Sequence, residues 1–385
     1  MTALMLFGDT ERSAALRHEV PIAIGDPLLW IELDGRTVIL TSMLERDRIA
    51  RALPDAEILD FVAFGLRDLR RAGYSDHDAE RELVARVVSH LGIAETIVPG
   101  SFPVGVADRL RADDVSVTID DEGIDARRRS KGGPELDGIR GAQRAAEAGM
   151  AAAEAMLAQA MPGTDRRLYL GGEVLEAERV RTALRQACAQ AGAPCPPDVT
   201  VASVWTGFGH DPGSGPLPAG LPIQVDLWPR DEATACWADM TRTFIVGDPS
   251  PEHAELIREQ QLLVEAALND AITSTKPGVT GRELYDATCD RFEAAGYRTQ
   301  RTGAGEDPGE GFQFSLGHGV GLEVHEAPLL GLGGRDPLVP GDVLAMEPGL
   351  WDRRIGGVRF EDLVLVTDDG YELLTDYPYK LTPGS

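Results

Sequence analysis

From about residue 135 onward the chain repeats one order of elements, and that repeat limits the architectures open to it. A helix with apolar spacing follows Pro134, carrying Leu136, Ile139, Ala146, Met150, Ala153 and Leu157 on one face until Pro162-Gly163 stops it. A second helix over about 172–191 leads into strand-like pieces at 199–205, 222–228 and 235–246. The order then restarts. Ser250-Pro251-Glu252 opens a helix to about 274, ended by Lys276-Pro277-Gly278. Thr280-Gly281-Arg282-Glu283 reads as a capping box, whose hydroxyl and carboxylate satisfy the free N–H groups at the start of a helix to about 295. Strand-like pieces follow again near 312–316, 342–347 and 357–366. Two helices and then a set of strands, met twice, predict an α+β domain with pseudo-twofold symmetry.

The two halves also carry acids at matching points. Asp226 and Asp239 lie 13 residues apart in the first half, and Glu347 and Glu361 lie 14 apart in the second. Each sits in or beside an apolar strand, where an unpaired carboxylate costs several kcal/mol. Taken singly, such an acid pairs with an arginine or faces water. Four of them from two pseudo-symmetric hairpins repel one another unless cations sit among them, and two divalent metals roughly 3.5–4 Å apart would neutralise them. Ser315-Leu316-Gly317-His318-Gly319-Val320-Gly321 adds a histidine inside a glycine-rich bend, with His325 seven residues on. The glycines do not make a phosphate loop, since no Ser/Thr-capped helix follows them, and His325-Glu326-Ala327-Pro328-Leu329 lacks the second histidine of HExxH.

The region before residue 135 alternates strand-like and helix-like segments. Leu28–Leu33 and Thr37–Thr41 flank Asp34-Gly35-Arg36, a hairpin signal. Helical spacing covers about 9–18, 44–52, 65–73 and 76–91, and Val115–Ile119 reads as a strand. Arg127-Arg128-Arg129-Ser130-Lys131-Gly132-Gly133-Pro134 is read as a boundary, dividing the chain into domains at 1–134 and 135–385. With a net charge of −26, the chain is a poor partner for nucleic acid or an anionic membrane, and one basic cluster does not reverse that. No apolar run reaches the roughly 18–20 residues of a membrane span, and MTALMLFGDTERS has neither the basic nor the apolar region of a signal peptide. Cys188, Cys195, Cys236 and Cys289 form no CxxC pair and read as buried reduced thiols of a cytoplasmic protein.

The ordered set Asp226, Asp239, His318, Glu347 and Glu361 resembles the five metal ligands of the M24 metallopeptidases, the pita-bread family. The neighbouring motifs agree: DMTRTF from the second Asp, GHGVGLEVHE around the histidine, MEPG at Glu347 and GGVRFED at Glu361. The resemblance covers the whole second domain and implies a pita-bread catalytic domain there. It likewise implies that residues 1–134 form the smaller α/β domain of prolidases, Xaa-Pro aminopeptidases and creatinases.

It also implies roles. Asp226 would bind one divalent metal, His318 and Glu347 the other, and Asp239 and Glu361 would bridge them. A water or hydroxide between the metals would be the nucleophile, with Glu347 as general base. His325 and His210 match the family's substrate-pocket histidines, and Arg359 matches an arginine behind the ligands in the aminopeptidase P branch. The implied activity is hydrolysis of the N-terminal Xaa-Pro bond of small peptides by a homodimer using manganese, cobalt or zinc. Three departures stand out: Asp226-Leu227-Trp228 where Asp-x-Gly is usual, with an Asp226–Asp239 spacing two residues longer; Phe314 where the family carries another histidine; and His210 one residue closer to Asp226 than its counterpart. These keep open a metal-dependent hydrolase or lyase acting on a non-peptide molecule. Metal-free enzymes such as creatinase, or a non-catalytic scaffold, fit less well because all five ligands are present.

Overall fold

The computed structural model describes residues 1–207, 209, 211–303 and 309–384. The chain divides into two compact units, Met1–Arg128 and the remainder from Arg129.

In the first unit, β1 (Thr2–Gly8), β2 (Leu28–Leu33), β3 (Arg36–Thr41), β4 (Glu57–Asp60), β5 (Glu95–Val98) and β6 (Ser116–Ile119) form one mixed sheet. Its order is β4-β3-β2-β1-β5-β6, antiparallel from β3 through β1 and parallel at both flanks. Alternate residues of β2 point to opposite faces, and both faces are covered. Leu29, Ile31 and Leu33 join the core beneath α4 (Asp76–His90) and α5 (Val104–Arg111). Leu28 and Trp30 pack with Leu16 of α1 (Ala14–Glu19), Ile49 of α2 (Arg46–Ala52) and Ile124 of α6 (Asp121–Arg129). The remaining helix, α3, spans Leu66–Arg71. Between β2 and β3, Asp34 (φ 51°) and Gly35 (φ 74°) both adopt left-handed backbone, the geometry that an Asp-Gly hairpin turn supplies.

Three expectations for this unit need correction. The helix expected over 9–18 starts only at Ala14. Asp9 accepts from the N–H groups of Glu11 and Arg12, which holds a turn there, and Ser13 caps the helix at Leu16 N–H. β1 was not expected as a strand, although it is central; its apolar run has no alternation to announce it. The basic run is not a linker throughout, because α6 continues to Arg129. Arg127 bonds Glu19 at 2.6 Å and Glu32 at 2.9 Å within the first unit, and Arg129 bonds Asp342 at 2.6 Å within the second, so each charge is spent on acids of its own unit.

The second unit shows the repeated order. α7 (Gly133–Ala158) and α8 (Ala177–Gln190) are joined by a small sheet of β7 (Met161–Pro162), β8 (Leu168–Leu170) and β9 (Glu173–Val174). They lead into a three-stranded sheet of β10 (Thr200–Ala202), β11 (Ile223–Leu227) and β12 (Met240–Phe244). Then α9 (Pro251–Ser274) and α10 (Gly281–Ala294) precede β13 (Gly317–Gly319), β14 (Glu326–Leu330), β15 (Val343–Met346), β16 (Gly349–Asp352), β17 (Gly356–Arg359), β18 (Asp362–Val366) and β19 (Tyr371–Leu373). Five of these form an antiparallel sheet in the order β14-β13-β15-β18-β19, and β16-β17 is a separate hairpin. The Thr280 capping box is complete: Thr280 N–H donates to Glu283 at 2.8 Å and Glu283 N–H to Thr280 Oγ1 at 3.2 Å.

The strand expected at 312–316 is absent; Phe312 makes only an isolated bridge to Thr299, and pairing begins at Gly317. The run expected over 357–366 is broken at Phe360-Glu361, because β17 pairs with β16 while β18 pairs with β15. In that break Glu361 N–H leaves the ladder and donates to Thr241 O at 3.2 Å. The four cysteines are buried free thiols. Among the described residues no helix is long and apolar enough to cross a membrane.

Close approach of α7 to α8 and β11 depends on Gly149. A Cβ there would lie 2.4 Å from Cys188 Sγ and 2.8 Å from Leu227 Cδ1. Gly149→Ala gains about 0.5–1 kcal/mol of helix propensity, but overpacking a tight core costs about 1–3 kcal/mol. The second effect wins, so Gly149→Ala should lower the urea unfolding midpoint; an unchanged or higher midpoint would show that the contact yields.

Candidate metal centre

Five separated segments bring their side chains to one place. Asp226 lies on β11 opposite Thr241, and Asp239 immediately precedes β12. His318 is the middle residue of β13, between Leu329 of β14 and Ala345 of β15. Glu347 follows β15, its N–H held by Leu316 O at 2.8 Å, and Glu361 occupies the break between β17 and β18. Gly317 is required for this packing: with φ 157°, a Cβ there would meet Ala345 O at 1.8 Å.

Ligand-type atoms group in three overlapping sets, Asp226/Asp239/Glu361, His318/Glu347/Glu361 and Asp239/His318/His325, with all atoms of a set within 4.8 Å of one another. His318 Nε2 is 3.6 Å from Glu347 Oε1 and 3.8 Å from Asp239 Oδ2. Arg359 Nη1 is 3.2 Å from Glu347 Oε2, and its Nη2 donates to the Asp226 carboxylate and to Thr241 Oγ1. His325 is exposed, its ring edge-on to that of His318 with centroids 4.3 Å apart. The structure thus gathers Asp226, Asp239, His318, Glu347, Glu361, His325 and Arg359. His210 lies outside the described residues.

Four carboxylates face one guanidinium, so negative charge is left uncompensated. Burial, and then the charges of Glu361, Asp226 and Glu347, push the Asp239 carboxyl well above the usual carboxylate range. Burial, and then Glu347 and Asp226, do the same to Glu361. Burial alone would lower the affinity of Arg359 for its proton, but the surrounding carboxylates more than reverse this, so it stays charged. Burial also lowers the His318 pKa, which favours neutral imidazole. Its Nδ1 lies 3.1 Å from Gly319 O, an acceptor only, so Nδ1 carries the hydrogen and Nε2 offers its lone pair toward the carboxylates. A neutral imidazole, oxygen-rich neighbours and excess negative charge together fit divalent cations.

The supporting residues were not picked out from sequence. Thr241 Oγ1 donates to Glu361 Oε2 at 2.7 Å, and Thr243 Oγ1 donates to Arg359 O at 2.9 Å while accepting from Arg359 N–H at 3.1 Å. Asp239, Thr241 and Thr243 share a face by strand alternation, the signal that could have found them. Between them, buried Arg242 points away and donates to the carbonyls of Thr241, Glu361, Tyr377 and Pro378 and to Asp362 Oδ1, with its guanidinium 4.8 Å from the Tyr379 ring centre.

The sequence departures also have places. Phe314 packs edge-on against Trp351 at 5.4 Å, and Trp351 with Trp205 and Gln224 lines a cavity of about 540 Å³. In the lengthened hairpin, Asp231 N–H bonds Cys236 O and Ala235 turns with φ 68°, which lays Trp237 against the loop after His318. There Trp237 N–H donates to Gly321 O at 2.8 Å and its indole N–H to Leu322 O at 3.2 Å.

Paired helices and strands meeting in pseudo-symmetry around buried acids and one imidazole define a class, the pita-bread proteins. Residues 137–368 match the model of metallopeptidase family M24, and the chain belongs to that family. It is 39% identical over 138 residues to the Xaa-Pro dipeptidase of Pyrococcus horikoshii, covering 36% of this chain and 35% of that protein. The chain therefore spans about a third of the length of the curated relatives it matches. Over the whole chain, the fold is that of the Pyrococcus horikoshii prolidase, with TM-score 0.75, 23% identity and coverage of 99% of this chain and 95% of that one. A Bacillus anthracis Xaa-Pro dipeptidase superposes with TM-score 0.77 and 24% identity, covering 99% and 94%.

The raised carboxyls give the metal-free protein a pH dependence. Asp239 and Glu361 bind protons more tightly folded than unfolded, so their contribution to stability is complete below the ordinary values of 3.8 and 4.5 and is lost as pH rises above them. Metal-free Asp239→Asn should therefore melt higher than metal-free wild type at about pH 8, with the gap closing toward about pH 4. A lower melting temperature for the variant at the higher pH would contradict this electrostatic account.

Proposed function

We propose that the chain is a metal-dependent exopeptidase that hydrolyses the N-terminal Xaa-Pro bond of small peptides. The observation that carries the reading is the convergence of Asp226, Asp239, His318, Glu347 and Glu361 in a chain of family M24. The similarity to an Xaa-Pro dipeptidase supports the substrate class. Asp226, Asp239, His318, Glu347 and Glu361 would hold the divalent cations, Asp226 serving one, His318 and Glu347 the other, and Asp239 and Glu361 both. When bound, divalent cations supply a nucleophilic water ionised near neutral pH and polarise the substrate carbonyl. The hard oxygen donors of a carboxylate-rich set with one imidazole suit manganese, with cobalt or zinc as substitutes.

The chain's own groups do the rest. The Glu347 carboxylate accepts the proton of the attacking water and passes it to the leaving nitrogen. Arg359 lies beside both Glu347 and Asp226 and sets a positive charge among the acids. His325 donates a hydrogen bond to the carbonyl oxygen as charge builds on it. His210 keeps the substrate-contacting role that the family resemblance implies. A bond before proline has no N–H for an enzyme to grip, and these groups need none.

Residues 1–134 are read as the creatinase/prolidase-like domain and 135–385 as the catalytic domain; the two compact units and the full-length likeness to a solved prolidase support this. A cytoplasmic homodimer completes the reading, the location supported by four buried free thiols. Sedimentation should then give a species of twice 41.4 kDa; a monomer with full activity would remove the dimer.

Chelation should abolish cleavage of Xaa-Pro peptides and added manganese should restore it. His325→Ala should cost on the order of 100-fold in kcat with metal content unchanged, as loss of an oxyanion donor does. Xaa-Pro dipeptides assayed beside longer Xaa-Pro peptides separate dipeptidase from aminopeptidase action. Equal turnover of proline-free peptides would overturn the substrate assignment.

A further inference from the structure

Lysine is rare in this chain: Lys131, Lys276 and Lys380 stand among 37 basic residues. Lys131 lies just before α7 with its side chain 2% exposed, and its ammonium donates at 2.6 Å to Glu326 Oε1, also on a side chain 2% exposed. Burying both charges removes most of their hydration, so such a pair adds little net stability and calls for another role. Its position suggests one, because Glu326 opens β14 and directly follows His325.

The segment from Gly321 to Glu326 is held from two sides. Trp237 bonds the carbonyls of Gly321 and Leu322 at its start. At its end the Glu326 carboxylate lies against Gly321, where an added Cβ would meet Oε1 at 2.5 Å. Glu323 N–H also points at Glu326 Oε2, 3.4 Å away. His325 projects from this pinned segment, exposed but edge-on to His318 at 4.3 Å. An ammonium is a compact point charge, whereas a guanidinium is a wide planar fork; the basic group that holds this buried carboxylate is one of the few lysines.

We propose that Lys131 is a positioning residue, which by fixing Glu326 holds the 321–326 segment so that His325 stays against His318 at the metal centre. The catalytic consequence rests on the role given to His325 above; the placement of the ring does not. Both can be read from Lys131→Met and Glu326→Gln, each alone and with His325→Ala. In metal-free protein with labelled histidine, the magnetic contact between the His318 and His325 rings should be present in wild type and lost in either variant. In metal-loaded protein, each variant should lower kcat on an Xaa-Pro peptide by on the order of 10- to 100-fold, as misplacement by about 1 Å can. Metal content and KM should stay unchanged, and neither variant should slow the His325→Ala protein further.

A ring contact that survives in a folded variant, or a kcat loss that adds in full to that of His325→Ala, would overturn the proposal. Failure of both variants to fold would make the pair structural and overturn it as well. If wild type cleaves no Xaa-Pro peptide while the ring contact is lost in the variants, the substrate reading fails and the positioning stands.

Discussion

The arrangement of the clustered acids depends on one buried guanidinium that reaches them through the backbone of Glu361. Arg242 is 1% exposed and binds four carbonyls and the Asp362 carboxylate. Its bond to Glu361 O joins β12 of one half to the β17–β18 break of the other, where Glu361 N–H also meets Thr241 O. Breaking a buried pair of this kind costs about 3–5 kcal/mol, because the remaining charge has no solvent. The fork fixes several acceptors in one plane at once. Consequently Asp239 and Glu361, which belong to different pseudo-symmetric halves, share a common frame.

On the opposite face of β12 the same strand arranges the chemistry. Thr241 and Thr243 are spaced by two, so both hydroxyls face the clustered acids, one holding the Glu361 carboxylate and the other the backbone of Arg359. Arg359 is then the cation set among four acids, and it moderates their repulsion without cancelling it. Burial, and then the remaining charge imbalance, push the Asp239 and Glu361 carboxyls upward, and the excess negative charge suits the place to divalent ions. Stability and receptivity are therefore opposed at this site.

The fold of the second unit was legible because amphipathic helices and their caps are local signals, and their recurrence revealed the symmetry. The clustered acids were legible because a carboxylate in an apolar strand needs an explanation, and the matched spacing pointed to a shared place for them. Thr241 and Thr243 escaped notice since a hydroxyl is unremarkable until its partner across the sheet is known. The break at Phe360-Glu361 was hidden for a similar reason: an apolar run reads as one strand, and only the ladder shows that β17 and β18 pair in different sheets. In the first unit, β1 and the helical nature of Asp121–Arg129 were missed because their pairing and ion partners lie far away in sequence.

The partners of Arg242 also set a schedule. Tyr377 and Pro378, which supply two of its acceptors, come 135 and 136 residues after it. At the usual rate of synthesis that separation corresponds to roughly 7–27 s. For that interval the first half, with Asp226 and Asp239 already made, can form helices and its three-stranded sheet, but the guanidinium has no complete set of acceptors and Glu361 has no fixed frame. On the ribosome, the acceptor set of Arg242 is therefore completed late, when Tyr377 and Pro378 arrive.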